Sequence, residues 1–412
     1  MAGRRWPIAC VSLEITQRCN LDCTLCYLSE SSEQVRDFPL NEIYRRIDLI
    51  VAHYGPGTDV QVSGGEPTLR RRDELVAIVR RLAQRGLRAS LFTNGIKASR
   101  DMLQELAAAG LTDVAFHVDT TQQRAGFATE AELNALRRDY IERARGLKLG
   151  VFFNTTLHAG NFTELPALAA FFAVQADVVR LASFQLQADT GRGVLGGRND
   201  EAINHDSVAS RWQQGLDTPL ANNVLAAGHS QCNRSAVLLV INGRAYDAFA
   251  DADFIQRFMR ETAGLMIDRG TPWRAMRSLL RAVASRPALA WASLRWALAL
   301  AWTARRDLLA AGGRVHKLTL FSHNFMDAAQ LDPERVDACV FMAMTQDGPL
   351  SMCAYNARRD EFLLRPLHTA NGLWQPLRAG LAEAKAVPIK WLKGRSREAV
   401  RSLRQRGGEG QT

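Results

Sequence analysis

Cysteine is scarce in this sequence, with seven residues in a chain of 412. Small secreted domains depend on dense disulfides, so this count excludes a disulfide framework and favours a reducing compartment. The start of the chain is basic, and it leads into a strand-like segment instead of the apolar core of a signal peptide. We therefore expect a cytoplasmic protein.

Uninterrupted apolar runs are also missing. The best candidate, residues 287–304, carries Arg295 near its middle, whereas a membrane-spanning helix needs about 20 largely uncharged residues. With 47% hydrophobic and 23% charged residues, the composition is that of a globular protein with room for two domains.

Acidic residues are too few to balance the basic ones, which leaves a net charge of +10. This excess predicts attraction to an anionic partner, either membrane lipid or nucleic acid. No recognisable RNA-binding module accompanies the charge, and we expect no DNA partner.

Three of the cysteines lie close together, as Cys19, Cys23 and Cys26. A [4Fe–4S] cluster normally takes four thiolates, so three local ones would leave one iron open to a substrate or cofactor. A structural zinc site would want a fourth ligand at similar spacing, and no Cys or His follows shortly downstream. The spacing therefore favours an iron–sulfur centre.

The first half of the chain alternates strand-like and helix-like segments. The predicted strands are 8–15, 60–62, 88–93, 113–118, 150–155 and 178–184, and the predicted helices are 41–54, 74–85, 102–109, 130–145 and 162–174. Six such units predict an α/β fold, a parallel, partly open barrel with its active face at the carboxyl ends of the strands.

A second motif, Ser63-Gly-Gly-Glu-Pro67, follows the second predicted strand. Together and in this order, the cysteine loop and this motif resemble the radical S-adenosylmethionine (SAM) superfamily. The resemblance implies a partial (β/α)6 barrel and SAM chelated to the open iron, with Glu66 near its ammonium group. One departure is Leu25, where the superfamily often has an aromatic residue that packs on the adenine.

Residues just past the strand ends are the candidate SAM contacts. They are Gly64, Gly65, Glu66, Pro67, Asn94, Asp119, Asn154 and Gln185. For each polar residue among them, capping of a loop or turn is the alternative, and for Asn94 before Gly95 a turn is equally well supported. No catalytic residue is assigned beyond the cluster.

Two more cysteines, Cys339 and Cys353, flank the turn signal Asp347-Gly348-Pro349. A hairpin there would bring Cys353 back toward Cys339. Lone buried cysteines usually behave as small hydrophobic residues, and Cys10 fits that description. Two that meet in a protein already assembling a cluster favour a second metal centre.

Around these cysteines the resemblance narrows to the radical SAM branch that contains pterin methylases and tetraether lipid synthases. It is carried by Ser322-His-Asn-Phe-Met-Asp327, Leu331-Asp-Pro-Glu-Arg-Val336, Cys353-Ala-Tyr-Asn356 and Thr190-Gly-Arg192. It implies an auxiliary [4Fe–4S] cluster with Cys232, Cys339 and Cys353 as candidate ligands. The predicted layout is a barrel at 8–192, a linker or lid at 193–230, an α+β auxiliary-cluster region at 231–366 and a basic, partly disordered tail at 367–412.

A basic, tryptophan-bearing insert, residues 273–306, lies within that region. Pro287 would start its second helix, on which Arg295 and Arg306 share a face with Trp291 and Trp302. Basic, Trp-bearing amphipathic helices lie in the membrane interface. The alternative, a helical pair packed on the barrel with solvated arginines, is equally well supported.

The leading hypothesis is a radical SAM enzyme that modifies an unactivated carbon of an apolar, lipid-like substrate. Its partners would be an electron donor such as ferredoxin or flavodoxin and, peripherally, the inner face of the membrane. Alternatives are a modifying enzyme for a soluble pterin-like molecule, for RNA or for a peptide. An iron–sulfur electron carrier or sensor is the non-enzymatic alternative, but a carrier has no need of a SAM site.

Overall fold

Six strands and five intervening helices make up the first half of the computed structural model, which describes residues 8–192, 202–225, 227–265, 272–369 and 372–377. The strands are β1 (Cys10–Thr16), β2 (Asp59–Gly64), β3 (Arg88–Thr93), β4 (Leu111–His117), β5 (Gly150–Leu157) and β6 (Val179–Leu186). The helices between them are α1 (Leu40–Tyr54), α2 (Arg72–Gln84), α3 (Arg100–Ala108), α4 (Glu130–Ala144) and α5 (Leu165–Val174). The six strands are parallel neighbours in chain order, so the predicted partial (β/α)6 barrel is confirmed.

The helices cover the sheet because their apolar residues recur on one face. In α1, Ile43, Ile47 and Ile50 are fully buried at helical spacing. The two faces of β1 also differ: Val11, Leu13 and Ile15 belong to the apolar core. The alternate residues Ser12 and Glu14 bond instead to polar groups on the other face.

The segment predicted as a linker or lid instead contains a core helix, α6 (His205–Leu216). Asn204 caps its first turn, and the fully buried Trp212 packs against Phe184 of β6 with ring centroids 5.6 Å apart. Residues 193–201 lie outside the described residues. The lid prediction is therefore wrong for α6, because its apolar face is part of the hydrophobic core.

The second half adds five strands to the same sheet, a separate two-stranded hairpin and several helices. Its strands are β7 (Asn233–Ile241), β8 (Arg244–Asp247), β9 (His316–Asn324), β10 (Phe341–Thr345), β11 (Gly348–Ser351), β12 (Leu367–Thr369) and β13 (Gly372–Trp374). Its helices are α7 (Ala252–Glu261), α8 (Pro272–Ala284), α9 (Pro287–Thr303), α10 (Arg305–Ala310), α11 (Pro333–Asp337), α12 (Met352–Ala357) and α13 (Arg359–Leu363).

The order of the eleven-stranded sheet is β11-β10-β1-β2-β3-β4-β5-β6-β9-β7-β8. β9 runs parallel to β6, and β10 runs parallel to β1, so the second half extends both edges of the barrel sheet. The predicted boundary at residue 231 thus divides elements that share one sheet. β10 and β11 form the predicted hairpin, with Gly348 at a φ of +122° in its turn.

Part of the predicted tail is ordered as well. β12 and β13 form a short hairpin, and Trp374 packs against Phe38 at 5.0 Å between ring centroids. Residues 378–412, which carry most of the tail's basic side chains, lie outside the described residues. Within the described part of the chain, no helix is both long and apolar enough to cross a bilayer.

Candidate active site

The cysteine loop lies at the mouth of the barrel, after β1. Cys19, Cys23 and Cys26 line one cavity of about 200 Å³. Backbone contacts hold the loop from two sides. Thr24 N–H donates to the carbonyl of Thr121 at 2.8 Å, and the hydroxyl of Tyr27 donates to the carbonyl of Gly64 at 2.5 Å.

The two glycines of the GGEP motif are required by a close backbone approach. A Cβ on Gly64 would lie 2.0 Å from the carbonyl oxygen of Thr16, and one on Gly65 would lie 2.2 Å from that of Arg18. The N–H of Gly65 donates to Thr16 at 2.8 Å, and that of Glu66 donates to Arg18 at 2.7 Å. These glycines therefore allow the motif to pack directly on the loop that carries Cys19.

Glu66 is buried at the wall of the same cavity. Its Oε1 accepts hydrogen bonds from the hydroxyl of Thr93 at 2.7 Å and from both the N–H and the hydroxyl of Thr68. Its Oε2 accepts the N–H of Asn94 at 2.7 Å. The carboxylate is thus fixed in one orientation, and Oε2, which has a single described donor, keeps room for a cationic ligand.

Most predicted strand-end residues meet in this cavity, but two do not. Gly64, Gly65, Glu66, Asn94, Asn154 and Gln185 line it. Pro67 does not line the cavity. It is the first residue of a short 3-10 helix, a position that suits proline. Asp119 has no exposed surface and does not line the cavity either.

Asp119 lies behind the cavity wall and bonds to two residues that line it, His117 and Thr156. Its Oδ2 lies 2.6 Å from Nε2 of His117 and accepts the N–H of Thr156 at 2.7 Å, while Oδ1 accepts two donors of Thr121. Burial alone would raise the pKa of Asp119, but His117, Thr121 and Thr156 outweigh it and hold that pKa well below its usual value. Asp119, predicted as a direct SAM contact, is therefore separated from the cavity by the side chain of His117.

Four residues near the cysteines were not among the predicted site residues: His117, Gln122 and Thr156 in the cavity wall, and Arg192 beside Cys26. His117 ends β4 two residues before Asp119, and this proximity was the available signal. Arg192 is buried next to Cys26, and it also pairs with Glu33 at 2.9 Å. Arg192 belongs to the motif Thr190-Gly-Arg192, but its place beside the cysteines could not be predicted locally, because the chain returns to the cysteine loop only after six strands.

The three cysteines supply three of the four thiolates that a [4Fe–4S] cluster normally takes. Among the described residues, no three His, Cys, Asp or Glu side chains form a ready-made site for one metal ion. Burial raises the pKa of Cys19 to about 12 and also holds that of Cys23 well above its usual value, so cluster assembly must displace thiol protons. The guanidinium of Arg192 would stabilise the resulting negative charge.

A second cavity collects the other cysteines. Cys232, Cys339 and Cys353 line it together with the buried His323 and with Arg335. The Nε of Arg335 donates to the sulfur of Cys232 at 3.4 Å, and the thiol of Cys339 donates to the carbonyl of Phe341 at 3.1 Å.

This second cavity is small, and the thiol of Cys353 is buried in its wall. Burial, aided by Cys339 and Cys232, raises the pKa of Cys353 to about 11. The cavity measures only about 10 Å³, close to the volume of one water probe. Cys232, Cys339 and Cys353, the three predicted ligands, thus share one small cavity. Cys10 is buried in β1, as the sequence predicts.

The two cavities are neighbours, since Phe325 and Met352 line both. These side chains form a shared wall between the two cysteine sites. Both side chains are apolar. Phe325 is the residue after β9, and Met352 is the first residue of α12. A group bound in either cavity would therefore contact the same two residues.

A sequence model of the Radical SAM superfamily matches residues 13–169, from β1 into α5. The match covers most of the barrel and includes both the cysteine loop and the GGEP motif. The superfamily is one of enzymes, and its cofactors are a [4Fe–4S] cluster and SAM, in agreement with the geometry of the cysteine loop and the GGEP motif.

Three curated relatives illustrate the range of this superfamily. The 7,8-dihydro-6-hydroxymethylpterin dimethyltransferase of Methanocaldococcus jannaschii is 28% identical over 44% of this chain and 37% of its own length. The Fe-coproporphyrin III synthase of Methanosarcina barkeri is 28% identical, over 49% and 48%. The PqqA peptide cyclase of Xanthomonas oryzae pv. oryzae is 33% identical, over 43% and 48%. The chain thus spans half the length of these relatives or less.

Among solved structures, Streptococcus suis SuiB bound to precursor peptide SuiA overlaps 48% of this chain and 45% of its own, with 17% identity and a TM-score of 0.38.

Proposed function

We propose that the protein is a radical SAM enzyme that modifies an unactivated carbon of an apolar, lipid-like substrate. When bound, the cluster and SAM supply a one-electron reductive cleavage that yields a hydrogen-abstracting 5′-deoxyadenosyl radical. The observation that carries the proposal is the meeting of Cys19, Cys23, Cys26 and the GGEP residues in one cavity. Ferredoxin or flavodoxin is the class of electron donor we propose.

The polar part of the cavity suits SAM. Cys19, Cys23 and Cys26 would hold the cluster, and the fixed carboxylate of Glu66 would accept the ammonium group of SAM. Asn94, His117, Asn154 and Gln185, which lie in or just after four successive strands, offer donors and acceptors for the rest of the cofactor.

The remaining wall supports an apolar substrate. Leu21, Leu25, Leu186, Phe325 and Met352 line the same cavity. Such a wall excludes water and binds hydrocarbon by burial of its surface. A soluble pterin-like substrate is the second candidate, because one relative is named as a pterin dimethyltransferase.

We further propose that Cys232, Cys339 and Cys353 hold an auxiliary [4Fe–4S] cluster. Their meeting in one cavity supports this assignment. Arg335, which already bonds Cys232, would offset the charge of the thiolates. The fourth ligand position would be open, non-cysteinyl or filled by substrate.

The main assignment is tested by SAM cleavage. Anaerobically reconstituted protein with a strong reductant should form 5′-deoxyadenosine and methionine, measured by liquid chromatography. Replacing Cys19, Cys23 and Cys26 together with Ala should abolish this cleavage, because no ligands remain for the SAM-binding cluster.

Cys10→Ala is the matched control. This cysteine is buried in β1 and does not line the cavity, so its loss should leave cleavage unchanged. Undiminished cleavage in the triple variant would contradict the proposal.

A further inference from the structure

Helices α8 and α9 expose an unusual share of large apolar side chains. Eight of the thirteen exposed large hydrophobic residues in the described part of the chain lie between Trp273 and Leu309. They are Trp273, Met276, Leu280, Trp291, Leu294, Leu298, Trp302 and Leu309. Soluble surfaces rarely expose such a concentration without a binding role.

These residues form one stripe on each helix. Trp273, Met276 and Leu280 recur at spacings of three and four residues along α8. On α9 the stripe continues from Trp291 to Trp302, which is 70% exposed. Spacing of this kind places the side chains of each helix on a single face.

α9 has a second apolar face, and that face is already packed. Leu289 is fully buried, and the ring of Trp296 stacks on Phe254 of α7 with centroids 5.6 Å apart. One face of α9 is therefore buried against the rest of the protein, whereas the face from Trp291 to Trp302 is exposed to solvent. Core packing therefore cannot explain that stripe.

The charge around the stripes has one sign. Residues 272–306 contain seven arginines and no lysine, aspartate or glutamate. In the described structure, Arg277, Arg281, Arg295 and Arg306 form no ion pair. The guanidinium of Arg305 lies 4.5 Å from the ring centre of Trp302, so cation and aromatic ring occupy the same surface.

We infer that the α8–α9 surface docks on an anionic lipid bilayer. Exposed tryptophans and leucines would enter the boundary between headgroups and acyl chains, while the arginines would contact lipid phosphates. A second copy of this chain is a poorer occupant, because two surfaces bearing seven arginines and no acid repel each other. The helices would lie in the plane of the interface, since α9 has 17 residues and Arg295 interrupts it.

This inference does not depend on the proposed SAM chemistry, so the test omits SAM and reductant. Full-length reconstituted protein is floated with vesicles of phosphatidylcholine alone or mixed with phosphatidylglycerol. We expect binding to the anionic vesicles at low salt. Higher salt should weaken it without abolishing it, because screening removes the charge attraction but not the apolar burial.

Two variants separate these contributions. R277Q/R281Q/R295Q should lower the partition coefficient on anionic vesicles about a hundredfold, since each arginine near the surface contributes about fivefold. W291A/W302A should remove the salt-resistant remainder. Trp296 is left intact because it belongs to the packed face.

The matched control is R71Q/R80Q/R358Q, which removes the same charge from exposed positions outside the insert. It should retain most of the binding, and residues 378–412 are unchanged in every variant. Wild-type protein that ignores anionic vesicles at low salt would overturn the inference. Equal binding to anionic vesicles by R277Q/R281Q/R295Q and by the control R71Q/R80Q/R358Q would also overturn it. So would a concentration-dependent dimer, seen by sedimentation without lipid, that W291A/W302A abolishes while vesicle binding is absent.

Discussion

At the scale of single residues, a strand end does not by itself say which side chain enters the cavity. Asn94 follows β3 and Gln185 lies one residue before the end of β6, and both line the cavity. Asn154 lines it too, although β5 continues beyond it to Leu157. Asp119 follows β4 in the same way, yet the chain turns it inward and leaves His117 in the wall. The orientation depends on whether partners such as Thr121 and Thr156 lie on the inner side, and these contacts come from tertiary structure.

The buried carboxylate of Asp119 yields a first prediction. Asp119→Asn should lower the free energy of unfolding by about 2 to 3 kcal/mol at neutral pH, because the amide would turn a donor toward the N–H of Thr156 or Thr121. Anaerobic urea unfolding measures the difference. Asp139→Asn is the control, since its ion pair with Arg143 is half exposed and should contribute less than about 1 kcal/mol.

The difference should also depend on pH. Because the pKa of Asp119 is lowered in the folded protein, its stabilisation is complete above the ordinary carboxyl pKa of about 4. It is lost as the pH falls toward the lowered folded value. The gap between wild type and Asp119→Asn should therefore shrink in acid. A gap that stays constant down to the acid limit of folding would contradict this assignment.

At the scale of elements, α12 and α13 are attached to the barrel by a buried ion pair. Arg359 bonds to Glu14 of β1, and the hydroxyl of Tyr355 donates to the same carboxylate at 2.9 Å. The guanidinium also lies 4.9 Å from the ring centre of Tyr27, the residue after Cys26. One arginine thus links the helix after Cys353 to the end of the cysteine loop.

Arg359→Leu should be severely destabilising, by about 3 to 5 kcal/mol, because it leaves the carboxylate of Glu14 buried without its cation. Arg358→Leu removes the neighbouring arginine, whose pair with Glu361 is exposed, and should leave stability unchanged. Urea unfolding of both variants under the same conditions makes the comparison. Equal stability of the two would show that the buried pair contributes nothing specific.

Local pattern sufficed for most of the barrel elements. The predicted ends of its six strands lie within two residues of those observed, because apolar runs and glycine stops repeat along this half. α6 was missed although Val208, Trp212 and Leu216 recur four residues apart behind the capping residue Asn204. Its surrounding glycines and asparagines hid that period, and the helix is fixed mainly by the burial of Trp212.

At the scale of the whole molecule, the proposal of two separate metal sites can be tested by counting iron. The triple variant that lacks Cys19, Cys23 and Cys26 should still bind about four irons on Cys232, Cys339 and Cys353. The converse triple variant at these three positions should also keep about four irons, and it should keep SAM cleavage. Iron analysis after anaerobic reconstitution gives both numbers.

If the variant that lacks Cys19, Cys23 and Cys26 binds no iron but keeps a native circular dichroism spectrum, then Cys232, Cys339 and Cys353 are only packing residues.

The sequence alone could predict that Cys339 and Cys353 meet, because a hairpin turn lies between them. It could not predict from spacing that Cys232 joins them. That contact requires β7 and β10 to lie at opposite ends of one curved sheet.

The sheet order also affects how the protein is made. β1 is covered on one side by β10, and Cys10 pairs with Phe341, so the partner strand leaves the ribosome more than 320 residues later. Until β9 and β10 are made, β6 and β1 present unpaired backbone groups, the feature by which sheets adhere to other chains. Pairings so distant in sequence also form slowly. The nascent barrel therefore has two unpaired edges during about a third of its synthesis, and a fragment ending at residue 192 would aggregate instead of forming a minimal enzyme.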